Sequence, residues 1–231
     1  MTEKSINAQI EKISPLTDSI VQLILKPTQY IDYEAGQYLK IILEDEALSF
    51  SIANAPLGAH QYELHIRHSK DNPCHQQLFA YIKAHGSIPV ALPFGTCSIN
   101  HLEPKRPILF LAGGTGVAPV HAMIEQLLTL DDSRMFELYW VARSQNDLYL
   151  DEKIKNWQIH SSRFNYFSSI SDENKDNLTV AVLNNHLQDL KDWQIVISGP
   201  FDMVYSTRDT LVQAGVSPAH IFSDALTYEG K

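Results

Sequence analysis

The stretch LFLAGGTGVAPVHAM, residues 109–123, joins an unbroken apolar run, a cluster of glycines and the start of an amphipathic segment. An apolar run that stops at Gly113, Gly114 and Gly116 reads as a buried strand whose backbone turns sharply at its end. Beyond it Val120, Met123, Ile124, Leu127 and Leu128 recur at i, i+3, i+4, i+7 and i+8, which predicts a helix. A strand, a glycine turn and a helix in this order aim unpaired helix amides at an anion, and a diphosphate is the natural guest. The stretch is not a Walker loop, because no Gly-Lys-Ser/Thr follows, and Pro119 takes the last position of GxGxxG. Proline fits the first turn of a helix, where its missing amide is not needed. A plain glycine-rich turn is the competing reading, and the flanking strand and helix favour a dinucleotide over it.

The alternation continues downstream. FELYWVAR (136–143), FNYFSSI (164–170), QIVISG (194–199) and AHIFSDAL (219–226) read as strands. Between them LYLDEKIKNWQ (148–158), NLTVAVLNNHL (177–187) and FDMVYSTRDTLVQAG (201–215) read as helical units. Such a series predicts a parallel sheet with right-handed crossovers. Upstream the texture changes: SIVQLILKP (19–27), GQYLKIIL (36–43), LSFSIANAP (48–56), YELHIRHS (62–69) and GSIPVALP (86–93) alternate in period two between turn signals. They predict an antiparallel barrel or sandwich, interrupted by one helix, HQQLFAYIKAH (75–85). The expected domains are residues 1–102 and 103–231.

A chain of 231 residues suits two compact domains better than one. Its formal net charge of -9 leaves no basic surplus to neutralise phosphates, so no nucleic-acid partner is expected. The opening MTEKSINAQIEKIS lacks the apolar run of a signal peptide, and no stretch approaches the ~20 apolar residues of a membrane span. A cytoplasmic protein is expected. Cys74 and Cys97 cannot supply the thiolates of an iron-sulfur cluster or a structural zinc site. His65 and His68 fall on opposite faces of a strand, so they and the nearby Cys74 and His75 predict no metal. No Gly-x-Ser-x-Gly elbow supports serine hydrolase chemistry.

GQYL, FSIANAP, LHI, GGTGVAPVHAM, YWVARSQNDLYL, SGPFDMV and FSDAL, in that order, resemble the ferredoxin-NADP+ reductase superfamily. They are most similar to its short NAD(P)H:flavin oxidoreductases, the bacterial flavin reductase and LuxG type. The resemblance covers nearly the whole chain. It implies an N-terminal antiparallel Greek-key β-barrel for flavin and a C-terminal Rossmann-like α/β domain with a parallel sheet for the nicotinamide nucleotide. Hydride would pass from NADH or NADPH to riboflavin, FMN or FAD between them. By resemblance Phe50, Ser51, Ile52 and Ala53 form the flavin shelf, with the Ser51 hydroxyl near flavin N5. Leu64, His65 and Ile66 form the neighbouring strand. Gly113, Gly114, Thr115, Gly116 and Pro119 form the nicotinamide loop, Arg143 meets the adenosine end, and Gly199, Pro200, Phe201 and Met203 form a second loop. Ser51, Ser198 and Asp224 are the implied catalytic positions, Asp224 at the flavin's edge.

Three departures sharpen these expectations. Leu48 stands where the family carries an arginine for the flavin phosphate. Losing a charge-assisted contact of roughly 1.5 to 3 kcal/mol predicts a phosphorylated flavin held about tenfold to a hundredfold less tightly. Arg67 is the candidate substitute, against the plainer reading of a solvated strand-end cation. Ser198 replaces a frequent cysteine, and Val141 and Ala142 replace glycines beside Arg143. The expected activity is NAD(P)H-dependent reduction of a weakly held flavin acceptor. The alternatives are a flavoprotein passing electrons to a separate iron-sulfur or oxygenase partner protein, and a nonenzymatic nucleotide-binding module.

Overall fold

In the computed structural model of the chain, residues 4–44, 46–69, 71–171, 178–186 and 188–228 are described. The ends of the expected helical unit 177–187 lie outside the described residues. Six antiparallel strands come first: β1 (Lys4–Pro15), β2 (Ile20–Pro27), β3 (Tyr38–Ile42), β4 (Ala47–Ser51), β5 (Tyr62–Arg67) and β6 (Ser87–Phe94). Their order is β4-β3-β6-β1-β2-β5, and a bridge between Ile52 and Leu64 joins the two ends into a Greek-key barrel. Period two explains the closure, because Leu23 and Leu25, Leu39 and Ile41, Leu64 and Ile66, and Ile88 and Val90 all turn inward and are fully buried. β1 shares the alternation over its first half, where Ile6, Ala8 and Ile10 pack on the core between polar residues. Ala8 is its one buried residue, and its place comes from ladders to β2 and β6.

The helix α1 (Pro73–His85) lies against this barrel with Leu78 and Ile82 buried. Its ends are set locally. The Asn72 side chain accepts the Cys74 and His75 amides, Pro73 opens the first turn, and Gly86 at φ 65° returns its amide to the Ile82 carbonyl.

The second sheet is parallel: β7 (Ile108–Gly113), β8 (Phe136–Ala142), β9 (Phe164–Ile170), β10 (Gln194–Ser198) and β11 (Ile221–Phe222), ordered β11-β10-β7-β8-β9. Helices α2 (Val117–Thr129) and α3 (Asp151–His160) cover one face; α4 (Leu178–Asn185) and α5 (Phe201–Gln213) cover the other. β7 is apolar throughout because both its faces are buried, Phe110 and Ala112 toward α2, Leu109 and Leu111 toward α5. From β7 the chain winds outward to β8 and β9, then returns to β10 on the other side. Strand order therefore reverses between β7 and β10, and a ligand crevice opens beyond their carboxyl ends. The glycine turn and Ser198–Gly199 both sit there.

Candidate functional site

β4 divides its side chains between core and crevice. Leu48 pairs with Ile41 and Phe50 with Leu39, so both pack on the barrel core, while Ser49 and Ser51 share the opposite face with Lys40 and Tyr38. Ser49, Phe50 and Ser51 line a cleft of about 630 Å³, and Leu48 does not. The strand ends at Ser51 because the next backbone groups bond elsewhere. The Ala53 amide donates to the Glu63 carbonyl, the Ala53 carbonyl accepts from His121, and the Ala55 amide donates to Glu125.

The opposite wall is the glycine turn. After β7 the chain makes a 3-10 turn over Gly114–Gly116 and enters α2, with Gly114 at φ 54°. A Cβ on Gly116 would collide with the Ser198 carbonyl, so glycine is required for the loops after β7 and β10 to lie together. The buried Trp140 indole donates to the Gly114 carbonyl at 2.9 Å and fixes the turn from below. Gly113, Gly114, Thr115, Gly116, Arg143, Ser198, Gly199, Pro200 and Met203 line the same cleft as Phe50 and Ser51.

A second cavity of about 430 Å³ shares Ser49, Ser51, Ser198 and Gly199 with the first. It adds Tyr38, Pro119, Phe201 and Asp224 among others, and Phe201 stands 55% exposed at its margin. Asp224 is committed to structure as well. One oxygen accepts the Thr96 and Cys97 amides at 2.8 and 2.9 Å, tying the C-terminal segment to the turn after β6, and burial raises its pKa.

Ile52, Ala53, Leu64 and Ile66 line neither cavity. They are fully buried: Leu64 and Ile66 because the period that turns His65 and Arg67 to the cleft turns them inward, Ile52 by its bridge to Leu64, and Ala53 where its carbonyl meets His121 of α2. His65 forms the floor: the tautomer with its proton on Nε2 donates to Glu63 at 2.8 Å and accepts the Tyr149 hydroxyl at Nδ1, 3.2 Å away. Burial would raise the Glu63 pKa, but hydrogen bonds from His65 and Gln22 prevail and hold it down to about 2. Arg67 is no free strand-end cation, since its guanidinium bonds Asp147 across the cleft end at 3.0 Å.

Sequence reasoning missed His121, Glu125 and Asp147. His121 is buried, and its Nδ1 donates to the Ala53 carbonyl at 2.6 Å; burial, then the nearby Lys153, press its pKa down to about 3. The signal was present, because His121 and Glu125 stand four apart on the apolar side of α2. Among the described residues, no three His, Cys, Asp or Glu side chains gather into a metal-holding group, and no helix is long and apolar enough to cross a membrane.

Glycines without room for a Cβ, a fixed turn at a helix start and a facing strand of short polar side chains together fit a dinucleotide laid against a flat ring system. Comparison with known proteins agrees. Residues 110–209 match the oxidoreductase NAD-binding domain family. A CDP-6-deoxy-L-threo-D-glycero-4-hexulose-3-dehydrase reductase of Yersinia pestis is 33% identical over 213 residues, covering 90% of this chain and 64% of its own length. The chain thus spans under two thirds of that relative. A probable flavin reductase of Photobacterium leiognathi is 28% identical and matches along 96% of this chain and 98% of its own. Among solved structures, the ferredoxin reductase in carbazole 1,9a-dioxygenase superposes with a TM-score of 0.80 at 19% identity, over 97% of this chain and 70% of that one. A cytochrome P450 reductase from Amycolatopsis gives 0.82 at 20% identity, over 96% and 69%. The barrel, the parallel sheet and the crevice between them stand in the order that its motifs require, and with these relatives they make the chain similar to the ferredoxin-NADP+ reductase superfamily, residues 110–209 matching its nucleotide-binding half.

Proposed function

We propose that the chain is an NAD(P)H-dependent flavin reductase that takes riboflavin, FMN or FAD as an exchangeable acceptor. The observation that carries this reading is the junction of the two cavities, where Ser51 of the barrel and Ser198–Gly199 of the parallel sheet line both. Bound flavin and reduced nicotinamide supply the hydride chemistry. The chain's own residues contribute position and polarity. The turn Gly113–Gly116 and the start of α2 receive the diphosphate of NADH or NADPH, with Arg143 beyond it, while Phe50 and the Ser49–Ser51 face receive the flavin ring. The Ser51 hydroxyl offers a hydrogen bond where charge develops, and the packed walls from Val141 to Met203 exclude water. Abundant reduced nicotinamide makes the cytoplasm the fitting compartment.

Steady-state oxidation of NADH and of NADPH with riboflavin, FMN and FAD tests the proposal. Saturable turnover with riboflavin is expected; none at saturating concentrations overturns it and leaves a nonenzymatic nucleotide-binding module. A second reading, a reductase with resident flavin serving a separate protein acceptor, is favoured by relatives bearing names such as terephthalate 1,2-dioxygenase reductase component. Flavin retained in one-to-one ratio through gel filtration supports that reading against the first.

A further inference from the structure

The Arg67 guanidinium lines the larger cleft beside the glycine turn, with Nη2 3.8 Å from where a Cβ on Gly114 would stand. The same nitrogen bonds Asp147 at 3.0 Å, tying the end of β5 to the loop after β8. The other oxygen of Asp147 accepts the Ser144 hydroxyl at 3.0 Å, and Arg67 Nη1 reaches the Ser19 hydroxyl at 3.5 Å. Asp147 does not line the cleft. It lines a neighbouring hollow of about 370 Å³ with Thr17, Ser19 and Ser144, so the ion pair forms the wall between the two spaces. Arg67 and Arg143 are the lysines or arginines among the described lining residues of the cleft, and Leu48 faces the core.

A guanidinium engages a carboxylate or a phosphoryl group by the same kind of donor, so Asp147, bound to Nη2 beside the glycine turn, competes for that nitrogen with a phosphoryl group in the cleft. We propose that Asp147 is a built-in competitor for Arg67, which a phosphoryl group entering the cleft must displace into the hollow behind it. The competition levels the affinities of phosphorylated and unphosphorylated flavins, and this consequence rests on the flavin-reductase reading above. Arg67 stands beside the glycine turn and lines the same cleft as Ser49–Ser51, so the phosphoryl group is the monoester of FMN or the diphosphate of the dinucleotide.

Dissociation constants for riboflavin, FMN and NAD+ in the wild type, Asp147→Asn, Arg67→Gln and the double variant test this. Asparagine keeps the shape and the Ser144 contact while removing the charge that competes. The expected result is a rise of about tenfold in FMN affinity relative to riboflavin in Asp147→Asn, absent when Arg67 is also replaced. A gain in NAD+ affinity alone, again dependent on Arg67, supports the competition and assigns it to the dinucleotide. Riboflavin binding with neither gain, or a gain that survives Arg67→Gln, overturns the inference. Failure of the wild type to bind any flavin overturns the flavin reading itself.

Discussion

Ser51 owes its place on both cavities to a two-residue repeat: one step along β4 would bury the hydroxyl in the barrel and expose Phe50. Ser51→Ala removes a polar contact while keeping the strand. Its expected effect is a transfer rate lowered about tenfold to a hundredfold with flavin affinity within about twofold, read by stopped-flow absorbance and by titration. Lost affinity with an unchanged transfer rate would assign the hydroxyl to binding alone. Gly116 is a second residue whose role is decided by a single atom. Its would-be Cβ meets the Ser198 carbonyl, a backbone group that cannot swing aside, so Gly116→Ala is expected to lower stability by about 1 to 3 kcal/mol and to raise the KM for NADH. Thermal unfolding and steady-state kinetics check the two parts. Gly116 was legible because a glycine cluster between an apolar run and a helix is a local pattern, and Ser51 was singled out by the resemblance that FSIANAP carries. Leu48 was legible as a missing cation, but its turn toward the core follows from its partner Ile41, which local sequence does not name.

At the scale of elements, α2 does two tasks with one helix. Its start closes the glycine turn, and one and two turns further His121 and Glu125 hold the backbone of residues 53–55, just beyond the end of β4. His121 is a buried base whose folded pKa is pressed to about 3, below the roughly 6.5 of the unfolded chain. The unfolded state therefore takes up the proton first. The stabilising effect of neutral His121 is full above pH 6.5 and is lost as pH falls toward 3, with a slope near 1.4 kcal/mol per pH unit. His121→Gln is expected to be less stable at pH 8 by about 1 to 3 kcal/mol and to lose less stability than the wild type between pH 6.5 and 4, as urea unfolding measures. Parallel slopes would place the titration elsewhere. The segment FSIANAP looked like one strand in the sequence, yet β4 stops at Ser51. Its remaining residues bend at Asn54 and divide their hydrogen bonds among Gln37, Tyr33, β5 and α2, a tertiary choice invisible to period two. β1 was missed although Ile6, Ala8 and Ile10 alternate with polar residues, because the register shift between Ile10 and Lys12 breaks the period halfway along it.

On the scale of the whole molecule, ties between barrel and parallel sheet among the described residues include Arg67 with Asp147, His65 with Tyr149, residues 53–55 with α2, and Asp224 with the turn after β6. These ties lie around the shared cavities, so relative placement of the two walls depends on them. Asp224→Ala leaves the Thr96 and Cys97 amides without their acceptor and is expected to cost about 2 to 4 kcal/mol of stability, measured by chemical denaturation; a change within 0.5 kcal/mol, about the scatter of neutral surface substitutions, would mean that water replaces the carboxylate. The change of texture along the chain announced both architectures, and ordered motifs carried the resemblance to a family. The ties between the halves were not readable, because each joins residues distant in sequence, up to 128 apart for Thr96 and Asp224, and none repeats with a period. The central claim is that reduced nicotinamide and flavin meet between these walls and exchange hydride there. Rapid mixing of flavin-free protein and riboflavin with NADH, either unlabelled or deuterated at the transferred C4 position, tests it most directly. The account predicts riboflavin-dependent loss of NADH absorbance that saturates in both partners and slows with the deuterated donor. NADH loss no faster than without the protein would contradict it.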